Sequence, residues 1–103
     1  MANWIRAATV DDFKSNAARE VVVGGHVIAL FRVGDQFFAL DGICPHQGGP
    51  LGKGQLNGCV ITCPWHGWQF DVRTGQHEVN QSIRHTTFPV KVDAGVVYVD
   101  VNG

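Results

Sequence analysis

Two short stretches of this sequence carry side chains that bind soft metals. Cys44-Pro45-His46 is followed, sixteen residues later, by Cys63-Pro64-Trp65-His66. Each stretch offers one thiolate and one imidazole. Together they form the donor set that holds a [2Fe-2S] cluster with two cysteines on one iron and two histidines on the other. The chemistry this permits is one-electron transfer. A tetrahedral set of two sulfurs and two nitrogens also suits zinc by element preference. Structural zinc sites, however, usually pair cysteine with cysteine and histidine with histidine in each half. The mixed halves here favour the cluster, with a zinc-stabilised binding module as the alternative.

The ligand types carry a prediction about electronics. Thiolates at Cys44 and Cys63 are the soft, anionic donors that ferric iron needs, and neutral imidazoles at His46 and His66 serve the second iron. Replacing two thiolates by neutral nitrogens removes negative charge, so the added electron is held more readily than in an all-cysteine centre. Pro45 and Pro64 each follow a ligand cysteine and fix φ there, ordering the turn before a cluster arrives. Gly67 is expected to keep side-chain bulk away just after His66. Backbone N–H groups in such loops can point at the sulfurs and stabilise an anionic cluster.

These loops need a rigid frame, and the rest of the sequence supplies one. Segments rich in Val, Ile and Phe recur at short intervals between Gly, Asp and Asn, the pattern of an all-β sandwich or barrel. Strands are predicted at 4–7, 20–23, 26–33, 36–40, 59–62, 69–71, 87–92 and 96–100. Gly24-Gly25, Gly34-Asp35 and Ala94-Gly95 are hairpin turns, where φ > 0 is needed and glycine supplies it cheaply. The one helical piece is predicted at 10–18, opened by Thr9 with Asp11 and Asp12 in its first turn. Residues 47–58, crowded with glycines, read as a compact irregular excursion. The expected architecture is an antiparallel β-sandwich, one domain over 1–103, with a cluster-binding insertion at about 42–72.

Composition narrows the function. The chain has 103 residues, 45% of them hydrophobic and 17% charged, which suits one globular domain and leaves no room for a catalytic domain beside a metal site. A net charge of −1 without any cluster of lysine and arginine gives no footprint for nucleic acid. The amino terminus lacks the charged and apolar regions of a secretory signal, and no apolar run approaches the roughly 18 residues of a membrane helix. A cytoplasmic monomer is expected. Three cysteines, two of them at ligand spacing, make a poor disulfide framework.

Cys44-Pro-His46, the interval, and Cys63-Pro-Trp-His66-Gly67-Trp68 resemble the two boxes of the Rieske family. The continuation Phe70-Asp71-Val72-Arg73-Thr74-Gly75 is similar to the segment after the second box in soluble bacterial Rieske-type ferredoxins. The resemblance implies a rubredoxin-like cluster lobe on an antiparallel β-sandwich, with His46 and His66 near the surface as the electron exit. It implies an electron carrier, not an enzyme, passing single electrons from a flavin-dependent NAD(P)H reductase to a terminal aromatic-ring oxygenase. A small Rieske-like subunit of a nitrite reductase is the alternative within the family. No mononuclear-iron domain follows Gly103, so a stand-alone carrier is expected.

Departures from the respiratory and photosynthetic branch sharpen the expectation. Positions that carry a bridged cysteine pair in that branch hold Gly49 and Trp65 here. A serine and a tyrosine that donate hydrogen bonds to the cluster and its ligand correspond to Trp68 and Phe70, so both hydroxyls are missing. Without them the potential should fall near the lower end of the Rieske span, about −150 mV. No proline lies between Pro64 and Pro89, so the loop that covers the cluster in this family is expected at 79–85.

The remaining candidates have plainer readings. His26, His77 and His85 are expected to be solvated. Trp65, between two ligands, is a candidate for a docking patch because aromatic residues are enriched at interfaces. Cys59 alternates with Ile61 and Cys63 and reads as a small buried apolar residue. Cys59→Ser should therefore leave cluster content intact, whereas Cys63→Ser should abolish or gravely reduce it. Iron and acid-labile sulfide assays decide, and equal loss in both variants would show the ligands to be misassigned.

Overall fold

Between Val27 and Phe31 the chain has no polar residue, so neither face of that segment can be turned to water. The computed structural model, which describes residues 3–43, 48–65, 67–80 and 82–101, shows what covers both faces. Among the described residues ten strands follow one another: β1 (Ile5–Thr9), β2 (Asn16–Val23), β3 (His26–Val33), β4 (Gln36–Asp41), β5 (Gln55–Asn57), β6 (Val60–Thr62), β7 (Gln69–Asp71), β8 (Thr87–Phe88), β9 (Val90–Asp93) and β10 (Val96–Val99). All their pairings are antiparallel. They form three sheets, ordered β2-β3-β4-β8, β1-β10-β9 and β5-β6-β7.

The apolar segment is β3, in the middle of the largest sheet, and Ile28, Ala29, Leu30 and Phe31 are all fully buried. Alternation sends Ile28 and Leu30 to one face and Ala29 and Phe31 to the other. The first pair packs with Phe13, Val23, Ala39, Val97 and Val99, under the β1-β10-β9 sheet. The second packs with Leu40, Leu51, Ile61, Phe70 and Val72, under the β5-β6-β7 sheet. Burying each of the large side chains of β3 contributes about 1.5–3 kcal/mol. One strand thus fastens the sandwich base to the inserted sheet that carries the second metal loop.

The all-β antiparallel expectation holds, and three local expectations are corrected. Residues 10–18 are not helical. Thr9 does donate its N–H to Asp12 Oδ2 (3.1 Å), which lowers the Asp12 pKa, but the turn is a three-residue 3-10 segment, Val10–Asp12. From Asn16 the chain pairs with β3 rung by rung, Asn16 opposite Val33 and Ala18 opposite Phe31, so ladder and core outweigh a weak helix propensity. Residues 87–92 are two strands, because Pro89 has no N–H to continue the ladder. Thr87–Phe88 pairs with β4, and Val90–Asp93 crosses over to pair with β10. Within 47–58, the 3-10 turn Leu51–Lys53 and strand β5 give order to a stretch read as irregular. Only Leu56 of β5 is apolar, which hid the strand.

The β9–β10 hairpin closes through Ala94 (φ 51°) and Gly95 (φ 78°), both left-handed as a two-residue turn requires. Ala94 is the one non-glycine residue with positive φ among those described. An L side chain there costs about 1–2 kcal/mol, of which glycine's extra unfolded-state freedom returns about 0.4–1. Ala94→Gly should therefore raise stability by about 0.5–1 kcal/mol in chemical denaturation. A destabilised variant would contradict this account of the turn.

Candidate metal centre

The second metal loop, 63–68, spans the last rung between β6 and β7. Thr62 pairs with Gln69, and the Cys63 N–H donates to the Trp68 carbonyl at 2.8 Å. The first is closed in the same manner. Ile43 bridges Pro50, Leu51 N–H donates to the Gly42 carbonyl (2.9 Å), and Gly42 N–H donates to the Val27 carbonyl on β3 (2.9 Å). Asp41 Oδ1 accepts the Ile43 N–H at 3.0 Å. Each loop leaves a sheet through a hydrogen-bonded neck. Of the four sequence-predicted ligands, Cys63 is described; Cys44, His46 and His66 lie outside the described residues.

Cys63 is 1% exposed and is free of any disulfide, as is the half-buried Cys59. Ile61 and Cys63 belong to the same buried cluster and Cys59 packs against it, as alternation predicted. The two loops meet at this thiol. A Cβ added to Gly49 would stand 2.8 Å from Cys63 Sγ and 2.9 Å from Trp65 Cγ, closer than real contacts allow. Gly49 and Trp65, read as replacing a bridged pair, are therefore neighbours in space. Trp65 itself is 50% exposed, as a docking role needs. Gly67 has φ 69° and nothing within 4 Å of an added Cβ, so backbone conformation, not the relief of crowding expected from the sequence, calls for glycine there.

His77 and His85 are buried, not solvated, and this is the main correction to the site. After β7 the chain turns back: Asp71 accepts N–H groups of Thr74 and Gly75 at its carbonyl, while its carboxylate takes the Arg73 N–H, Nε and guanidinium (2.8–3.0 Å). That pairing holds the Asp71 carboxyl below its usual range and the Arg73 pKa above its own. The turn brings His77 opposite Phe70. The Phe70 ring then sits between the His77 ring (5.3 Å, perpendicular) and the His85 ring (5.5 Å, tilted). Polar neighbours in sequence concealed this; the cue was the Asp-x-Arg-Thr-Gly turn, which commits the residues after it to lie back across β7. His26 is exposed, as expected.

Among the described residues, Cys63 fits a cluster ligand: a soft donor, buried and unbridged, fixed by a closed loop and pressed toward the first loop by a glycine that leaves room for nothing else. With the geometry in view, comparison with known proteins assigns the family. Residues 3–90 match the Rieske [2Fe-2S] domain, and the chain belongs to that family, whose cofactor is a Rieske-type [2Fe-2S] cluster. The chain is 38% identical to the ferredoxin CarAc of Metapseudomonas resinovorans, over 93% of this chain and 92% of that one. It superposes on the ferredoxin of carbazole 1,9a-dioxygenase from Nocardioides aromaticivorans IC177 with a TM-score of 0.88 at 29% identity, covering 95% and 97% of the two chains. It also superposes on a chain of the complex of reduced oxygenase and oxidized ferredoxin in carbazole 1,9a-dioxygenase, with a TM-score of 0.84 at 37% identity, covering 94% and 92%. No helix among the described residues is long and apolar enough to cross a membrane.

His85 ties the first loop to the third sheet's return. Its Nε2–H donates to the Asp41 carbonyl at 2.7 Å, and burial lowers its pKa below the ordinary 6.5, outweighing that bond, which acts in the opposite sense. Well above pH 6.5 neither the folded nor the unfolded histidine is protonated and the full stability is present. As pH falls below that value the unfolded chain takes up a proton that the fold refuses, so stability declines until the depressed folded pKa is passed. His85→Gln keeps a donor for Asp41 and removes the titration. Its melting temperature should fall less than the parent's between about pH 7.5 and 5.5. Parallel curves would contradict a neutral buried His85.

Proposed function

We propose that Cys44, His46, Cys63 and His66 are the complete ligand set of the cluster, one thiolate and one imidazole from each closed loop. The observation that carries this reading is the contact of Gly49 with Cys63 Sγ, which joins the two loops at the one ligand that is described. The cluster supplies a one-electron couple when bound. The chain's own residues fix its ligands, keep water from Cys63 and leave the indole of Trp65 outward.

The protein is proposed to be the ferredoxin component of a multicomponent oxygenase system. It accepts electrons from a flavin-dependent NAD(P)H reductase and delivers them to a terminal oxygenase, aromatic-ring hydroxylation being the commonest setting. Support comes from relatives named as ferredoxins, of similar length and fold, and from an oxygenase–ferredoxin complex among the structures the chain resembles. A cytoplasmic monomer with one domain over 1–103 accords with that role.

Two measurements test it. Protein-film voltammetry should give a midpoint near about −150 mV, because Trp68 and Phe70 offer no hydroxyl to a sulfur. A strongly positive midpoint would contradict this environment. A carrier must release its partner after each electron, so its contact is small and weak. Trp65→Ala should slow reduction by the reductase or delivery to the oxygenase, with the visible spectrum unchanged. Unaltered rates with both partners would move the docking surface elsewhere.

A further inference from the structure

We propose that His77 is a positioning residue for the cluster centre, holding Val79 and Asn80 beside the second ligand loop through a doubly accepting Nδ1. Val79 N–H and Asn80 N–H both donate to His77 Nδ1, at 3.1 and 3.0 Å. Those two bonds fix the ring's proton on Nε2. The ring itself stands perpendicular to Trp68, with centroids 4.8 Å apart, and perpendicular to Phe70 at 5.3 Å. Trp68 ends the loop that begins at Cys63, and its carbonyl accepts the Cys63 N–H. His77 therefore touches the second ligand loop with its carbon frame and grips the segment after it with its nitrogen.

That segment needs a grip. Val79 is 86% exposed and supplies no buried apolar anchor of its own. Further bonds brace it, His77 N–H to the Ile83 carbonyl and Ile83 N–H to the Asn80 carbonyl (both 3.0 Å), with Asn80 Oδ1 accepting from Ser82. These close the turn upon itself, while Glu78 N–H donating to the Gln69 carbonyl (2.9 Å) and Ile83 packing against the buried cluster of Ile61, Cys63 and Phe70 hold its two ends to the third sheet. Between those ends the tie is His77. Val79, Asn80 and Ile83 form one wall, and Gly67 and Trp68 the facing wall, of a cavity of about 370 Å³. Releasing Val79 and Asn80 widens that solvent-open cleft along the ligand loop and brings more water to it. Water stabilises the more negative, reduced cluster, so the potential should rise. This inference rests on the reading of Cys63 and His66 as ligands.

Two complementary variants of the cluster-loaded protein separate the parts. His77→Phe keeps a ring against Trp68 and Phe70 and removes the acceptor. His77→Asn places an oxygen near the Nδ1 position and removes the ring. Amide exchange over 76–84 is followed by mass spectrometry, and the midpoint potential by voltammetry. His77→Phe should exchange roughly tenfold faster at 79–80 and show a raised potential, while His77→Asn stays near the parent in both. Unchanged exchange in His77→Phe overturns the tether. Faster exchange with an unmoved potential overturns the link to the cluster, and release in His77→Asn shows that ring packing alone holds the segment, which also overturns the proposal. Should the ligand reading itself be wrong, Cys63→Ser retains the cluster, a result independent of exchange at 79–80.

Discussion

With any side chain at position 49, Cys63 Sγ and the Trp65 ring could not both keep their places, so the close approach of the two loops there depends on glycine. With the ligand set proposed above, the centre depends on that approach, because neither loop alone offers more than one thiolate and one imidazole. The necks enforce it from below. The bridge between Ile43 and Pro50 and the bond from Cys63 N–H to the Trp68 carbonyl close the two loops at their roots. The order this imposes before a cluster binds is order the cluster does not have to create.

The necks in turn depend on β3. Gly42 leaves β4 and donates to Val27, so the first loop is held at its root to the same strand whose Ala29 and Phe31 pack under Ile61, Cys63 and Phe70 of the second. Both loops are referred to one strand, and that strand is buried on two faces. Such an arrangement resists relative motion of the two loop roots, as suits a carrier that changes charge without changing shape. Phe70, His77 and His85 extend the frame sideways: His85 reaches the carbonyl of Asp41 at the root of the first loop, and His77 touches Trp68 at the end of the second.

Much of this was legible in the residues. The ligand loops stood out because four soft-metal donors at matched spacing seldom arise by chance, and the double-sided burial of β3 was written in its unbroken apolar run. Cys59, Ile61 and Cys63 shared a face because alternation in a strand leaves no choice. What escaped was set by long-range pairing. The 10–18 segment carries a real helix-start signal at Thr9 and Asp12, yet its continuation is claimed by β3. The single strand read at 87–92 splits because Pro89 serves two sheets. His77 and His85 lie among polar residues, and only the turn from Asp71 to Gly75, which folds them back over Phe70, removes them from water.

Mixed ligation, proposed above, puts one histidine from each loop on the same iron. Electron spin-echo spectroscopy of the reduced protein, grown with ¹⁵N-labelled histidine, tests it most directly. The account predicts strong coupling to two histidine nitrogens, one lost in a His46 variant and the other in a His66 variant. A reduced cluster with no coupled histidine nitrogen, or a metal content of zinc without iron and labile sulfide, would contradict it.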